Sequence, residues 1–292
     1  MIRSRHRRQA GFTLIEAIMA IVITGILAGI VAVFISGPVQ GYVDSVRHAE
    51  LTDAADVALR RMTRDIRLAL PNSLRVTTTG GVNYIEFIMT SAGGRYRSDG
   101  DGSTAGNVLS FAVATTSFDV LGALPANPPI APGDHIVVYN LGPGYEPANA
   151  YDCTATPPGC NRAQVNAAWG GTNPVTLTAA TQTVFSSQSP PLPSPNSRFQ
   201  VVPGSVRAVT YACPLAAGSL TKQWNYGFNA AQATPPAGGT TAVLASGASC
   251  SVEYTANATG RNGMLYVQLT LADTPSGESV SLFQQIHVDN AP

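Results

Sequence analysis

Glu16 is the residue whose surroundings ask most of its chemistry. It lies one turn into an apolar run, with Gly11-Phe12-Thr13-Leu14-Ile15 before it and Ala17 to Ile35 after it. A carboxylate there costs on the order of 1–3 kcal/mol unless it reaches a polar interface or meets a cation. The four cysteines, Cys153, Cys160, Cys213 and Cys250, all lie past this run. An even count on an oxidising side reads as two disulfides, with three pairings open. Nearness in sequence favours Cys153–Cys160 and Cys213–Cys250, whose loop entropies would contribute roughly 2.5 and 4 kcal/mol. Zinc is disfavoured, because there is no C-x-x-C and no histidine nearby. Ser98-Asp99-Gly100-Asp101-Gly102-Ser103 offers calcium two carboxylates, Asp99 and Asp101, on a tight turn. The twelve-residue acid-rich calcium loop is absent, and Asp-Gly is also an ordinary turn former.

Little else in the chain could react. His48, His135 and His287 stand in one helical and two strand-like stretches with no motif around them. No G-x-S-x-G, H-E-x-x-H, phosphate-binding loop or dinucleotide fingerprint occurs, so nothing points to an enzyme. Gln223-Trp224-Asn225-Tyr226-Gly227-Phe228 places three aromatics on alternate positions, one face of a strand. That face serves a core or forms an exposed ladder. The net charge of zero gives no electrostatic case for nucleic acid. Lys222 is the only lysine beside sixteen arginines.

The elements that must position these residues begin with a helix. Arg3, Arg5, His6, Arg7 and Arg8 form a basic leader without an acid. Such a leader holds its end in the cytoplasm and sends the chain after Ile35 across the membrane. A helix over the apolar positions is roughly 28 Å long, close to the hydrocarbon thickness. The run exceeds the apolar core of a signal peptide, and Phe34-Ile35-Ser36-Gly37-Pro38 makes a poor cleavage site. Gly37-Pro38 can kink the helix. Beyond it, Leu51, Ala55, Leu59, Met62, Ile66 and Leu70 recur at three- and four-residue steps, and Pro71 ends the helix at Leu70. The charges around that stripe form a solvated face or pack on neighbouring subunits.

From residue 71 onward the pattern is strands and long polar loops. Strands are expected at Asn83–Met89, Asn107–Val113, His135–Tyr139, Pro174–Thr178, Arg198–Val202, Val206–Ala212, Cys250–Thr255, Met264–Leu271 and Ser279–Val288. Val206–Ala212 and Met264–Leu271 are expected to be antiparallel neighbours. Loops are expected at Ser91–Ala105, Gly142–Thr172, Ser186–Ser197 and Thr234–Ser249. The fold class is therefore α+β: a long N-terminal helix, membrane-spanning in its first half, packed on a mostly antiparallel sheet.

Gly11-Phe12-Thr13-Leu14-Ile15-Glu16, behind a basic leader and ahead of an apolar helix, resembles the processing site of type IV pilins and pseudopilins. The resemblance implies that a membrane-embedded prepilin peptidase cuts between Gly11 and Phe12 and N-methylates Phe12. Glu16 then becomes the fifth residue and an assembly contact, engaging the amino terminus of a neighbouring subunit. The implied divisions are a removed leader (1–11), a transmembrane and assembly helix (12–36), the amphipathic second half of the helix (37–70) and a periplasmic β-rich head (71–292). Some pseudopilins bind calcium, but the family needs no cofactor. Implied partners are prepilin peptidase, other minor and major pilins, the inner-membrane assembly platform and membrane lipid. The expected location is the inner membrane of a Gram-negative bacterium, single-pass, and then the pilus at the cell surface.

Major pilins are near half this length, so a minor subunit is implied. Tyr42, Arg47 to Asp56, Ala58 to Met62, Arg67 to Ser73 and the closing His287-Val288-Asp289-Asn290-Ala291-Pro292 are similar to the MshO family of mannose-sensitive haemagglutinin (MSHA) pilus biogenesis proteins. The central loops depart from that pattern. Two other assignments stay open: a J-like minor pseudopilin of type II secretion, and a membrane-anchored adhesin that uses its helix passively.

Overall fold

The computed structural model describes residues 11–98, 106–112, 115–123, 128–153, 160–178, 192–256 and 262–292. Two compact units are present, Met1–Glu50 and Leu51–Pro292. The described part of the first is the start of helix α1 (Leu14–Ile66), and every residue from Gly11 to Glu50 is exposed. The helix runs on through Pro38.

In the second unit the end of α1 lies against a sheet. Ala55, Ala58, Leu59, Met62 and Ile66 are buried, at the three- and four-residue steps that give a helix one apolar face. They share a core with Ile85, Phe87, Val209, Tyr211, Leu265, Val267, Leu269 and Ile286. The helix stops at Ile66 rather than Leu70 because the chain finds sheet partners before Pro71 acts. Leu68 and Ala69 make tight bonds back to Asp65 and Ile66, Leu70 N–H donates to Ile88, and Thr90 N–H donates to Leu68. Ala69 then bridges Met89.

That sheet has seven antiparallel strands in the order β1-β2-β10-β11-β12-β13-β14. They are β1 (Arg75–Thr79), β2 (Val82–Ile88), β10 (Ala208–Pro214), β11 (Gly218–Trp224), β12 (Thr240–Thr255), β13 (Asn262–Asp273) and β14 (Glu278–Asp289). Together with the helix this makes the molecule α+β. A five-stranded sheet, β5-β3-β9-β6-β7, comprises β5 (Val120–Leu121), β3 (Ala92–Tyr96), β9 (Arg198–Val202), β6 (His135–Val137) and β7 (Arg162–Gln164). Strands β4 (Ser117–Phe118) and β8 (Val175–Thr176) pair separately. A second core of Tyr96, Phe118, Ile136, Trp169, Phe199 and Val201 serves these strands.

Several expectations need correction. Strands β10 and β13 share a sheet but are not neighbours, since β11 and β12 lie between them. The stretch from Asn107 is not a strand where it is described. It is tied by single bonds, Leu109 N–H to Arg97 and Asp119 N–H to Asn107, and of its apolar residues Leu109 alone is fully buried. The expected loops conceal β3, β7 and the first ten residues of β12. Thr240 to Ser249 is built of small residues without clean alternation, and it is held as a strand by ladders to β11 and β13. The aromatic ladder also breaks. β11 ends at Trp224, and Asn225 turns left-handed at φ 62°. Tyr226 and Phe228 are half-buried and pack on the Leu70, Ile88 and Val202 cluster.

Candidate functional site

At its N-terminus α1 begins with a reciprocal cap. Thr13 Oγ1 accepts the Glu16 N–H at 3.3 Å, and the Glu16 carboxylate accepts the Thr13 N–H at 3.4 Å. Thr13 Oγ1 also lies 3.4 Å from that carboxylate as a donor. This is a capping box: a Thr at the cap and a Glu three residues on, each satisfying a donor that the first turn leaves open. It fixes the helix start at Leu14, two residues after Phe12. Before it, Gly11-Phe12 is extended past the helix end and exposed, Phe12 at 80%.

Gly11 is not demanded by the chain's own packing. A Cβ placed on it meets nothing within 4 Å, and the same holds at Gly25 and Gly29. The hydroxyls inside the apolar run satisfy themselves: Thr24 Oγ1 donates to the Ala20 carbonyl, and Ser36 Oγ to Val33 O at 2.9 Å. A hydroxyl that bonds back to its own helix needs no water. The segment is one helix, long and apolar enough to cross a membrane, with its side chains uncovered.

The model of the prokaryotic N-terminal methylation motif matches residues 6–32, spanning Gly11, Phe12 and Glu16. This segment carries the N-terminal methylation motif. No curated protein and no solved structure matches the chain. The methylation motif supports a type IV pilin or pseudopilin, made as a precursor for prepilin peptidase and anchored by its apolar helix. It indicates a structural subunit.

The remaining candidates lie in the head. The cysteines pair as Cys153–Cys160 and Cys213–Cys250. Asp99 and Asp101, the calcium candidates, fall outside the described residues, and so do Arg3, Arg5, His6, Arg7 and Arg8 of the leader. Among the described residues no three His, Cys, Asp or Glu side chains cluster as a metal site would need. The histidines stay apart: His48 on α1, His135 buried on β6, His287 exposed on β14. A cleft of about 560 Å³ is bordered by Asn72, Tyr139, Tyr145, Tyr254 and Asn290, and among the described residues that line it the tyrosines are the only titratable side chains.

Two buried charge clusters escape a reading of sequence. Glu86, fully buried on β2, accepts Arg75 Nε at 2.8 Å and the Tyr226 hydroxyl at 2.8 Å. Burial raises its carboxyl above the usual range, against the pull of Arg75. Arg75 also donates to Asn229 O and Ala230 O, tying the loop after β11 over the β1 edge. Asp65, on the last turn of α1, takes the Tyr211 hydroxyl and Lys222 Nζ. One signal for the first cluster was available. Gly80-Gly81, at φ 60° and 75°, is the two-residue turn that pairs Arg75 with Glu86 across the β1–β2 hairpin.

Proposed function

We propose that this chain is a minor pilin of an MSHA-type type IV pilus, a structural subunit that primes assembly. The observation that carries the reading is the methylation motif at the start of an uncovered apolar helix. Prepilin peptidase cuts between Gly11 and Phe12 and methylates the new amine of Phe12. The cut removes residues 1–11. Residues 12–36 then hold the subunit in the inner membrane, residues 37–70 continue the helix, and residues 71–292 form a periplasmic head. Three observations support the peptidase step. Gly11 has no packing role of its own. The bond after it is exposed, and the capping box keeps the helix from swallowing it.

In assembly, Glu16 meets the Phe12 amine of a neighbouring subunit, a cation at the place where a carboxylate in lipid needs one. Gly25 and Gly29 leave room for close helix contact, which in lipid and fibre depends on van der Waals packing. The partners are prepilin peptidase, other minor and major pilins and the inner-membrane assembly platform. The MSHA assignment rests on Arg47 to Ser73 and the closing His287 to Pro292.

The test is the mass of the N-terminal peptide of membrane-extracted protein. A peptide that begins at Phe12 and carries one extra methyl supports the reading. A start at Met1 or near Gly37 overturns it in favour of an ordinary anchor or a secreted head.

A further inference from the structure

Three basic side chains meet around Phe228, which follows β11: His135 on β6, Arg162 on β7, and Arg207 just before β10. β6 and β7 pair antiparallel with Val137 opposite Arg162. Opposite residues share a face, and so do residues two apart on one strand, so His135 and Arg162 project together. The Arg162 guanidinium carbon lies 3.6 Å from the centre of the Phe228 ring. The His135 ring meets the same ring edge-on, with centroids 5.1 Å apart. Arg207 Nη1 lies 3.9 Å from where a Cβ on the adjoining Gly227 would stand, and Arg207 Nε donates to Gly204 O at 2.9 Å.

The cluster gathers positive charge without an acid. Arg162 is only 9% exposed and His135 only 8%, a depth at which a cation is ordinarily paired. Arg162 donates from Nε and Nη2 to Cys153 Sγ, at 3.4 and 3.0 Å. Sulfur is a weak acceptor, and a disulfide carries no charge. The Phe228 face attracts the guanidinium but does not neutralise it. Among the described residues neither arginine forms an ion pair with a carboxylate. Residues 154–159, between the nearby cysteines, contain no acid. His135 Nδ1 is buried and has no hydrogen-bond partner among the described residues. The three groups also oppose one another. Burial, then Arg162 and Arg207, hold the His135 pKa down at about 3, and burial with Arg207 lowers that of Arg162 to about 10.

We propose that His135, Arg162 and Arg207 bind a small tetrahedral oxyanion, inorganic phosphate or sulfate. Beyond the bonds above, Arg162 keeps Nη1 for it, and Arg207 keeps Nη1 and Nη2. His135 donates from Nδ1 in the tautomer that carries its proton there. These donors come from three separate segments, which suits oxygens that point in several directions. A divalent ion balances two guanidinium groups, and charge-assisted bonds of this kind are the strong ones. Depth sets the size. Arg162 and His135 enclose the ion, while Arg207 is half-buried and gives access from solvent. The ion ties β6 and β7 of the five-stranded sheet to the segment that leads into β10 of the seven-stranded one. It is thus a stabilising ligand at the junction of the two sheets.

The test melts the full-length protein in detergent at fixed ionic strength, in chloride with millimolar phosphate, sulfate or acetate added. Phosphate and sulfate should raise the melting temperature to a plateau, and acetate should not. Arg207→Gln removes one charge from the half-buried side of the cluster, where the fold tolerates it best. It should abolish the shift and weaken phosphate binding in equilibrium dialysis by roughly tenfold or more, the loss of a bond to a charged group. Arg198→Gln removes an exposed charge on β9 outside the cluster and should keep the full response. Salt acting through exclusion from the surface would shift all three proteins alike. An equal shift in Arg207→Gln, an equal shift with acetate, or no shift in the parent at tens of millimolar phosphate would overturn the proposal. So would a gap between Arg207→Gln and the parent that stays constant with and without phosphate, since that is the mark of an arginine with a packing role only.

Discussion

Glu86 and Arg75 are a buried pair whose value lies in being complete. Removing one partner strands the other's charge in a dry site, which typically costs about 3–5 kcal/mol. Glu86→Leu should therefore destabilise the head by about that much, leaving Arg75 without its carboxylate and the Tyr226 hydroxyl with Thr210 Oγ1 alone. Tyr226→Phe, which removes one hydroxyl, should cost nearer 1 kcal/mol. Denaturant midpoints of the two variants would place them in that order. His135 makes the complementary case. It is buried, and burial together with the nearby Arg162 and Arg207 holds its pKa down at about 3. The unfolded chain takes up this proton near the ordinary value of about 6.5, and the folded chain does not. His135 thus contributes stability that is intact above pH 6.5 and is lost as pH falls toward 3, by up to about 1.4 kcal/mol per unit. His135→Phe should flatten that acid limb between pH 6.5 and 4 in a melting series. The Gly80-Gly81 turn hints at the Arg75–Glu86 pairing, but 140 residues separate Glu86 from Tyr226, and nothing local about His135 announces that two arginines lie near it.

At the scale of elements, legibility followed periodicity more than length. The stripe from Ala55 to Ile66 wrote its helix into the sequence, β14 alternates along its whole length, and β13 alternates from Leu265 to Ala272. The short β6 and β8 do fall inside the stretches expected at His135–Tyr139 and Pro174–Thr178, but the two-residue β4 and β5 have no period to read, and only tertiary pairing makes them strands. The disulfides follow a similar logic. Cys213 on β10 and Cys250 on β12 are joined past the β10–β11 turn, across a separation of 37 residues, while Cys153–Cys160 closes only 7. A crosslink constrains the unfolded chain more when its loop is longer. Cys213→Ala with Cys250→Ala should therefore lower the melting temperature more than Cys153→Ala with Cys160→Ala, the first costing about 2–5 kcal/mol. An equal or reversed ordering would mean that the bonds act through the folded state.

For the whole molecule, the decisive stretch was the one most legible in sequence, because its chemistry is read from outside the chain. A Cβ on Gly11 would meet nothing within 4 Å, so under the proposed processing its constraint lies in the peptidase, and Gly11→Glu should leave an uncut precursor on a gel with the head still folded. Glu16 has two roles that one substitution would confuse. Its carboxylate completes the cap with Thr13, and in the proposed fibre it would face a neighbour's amine. Glu16→Ala removes both. Glu16→Gln retains the cap, since Gln serves at that position of a capping box, and removes only the charge. If the charge recruits the neighbour, both variants should be cut and methylated at Phe12 yet fail to enter fibres. If the cap is what matters, Glu16→Gln should assemble and Glu16→Ala should not. Comparing sheared surface fractions of the two variants, with peptide masses as the control for processing, separates a helix that must start correctly from a subunit that must find a partner.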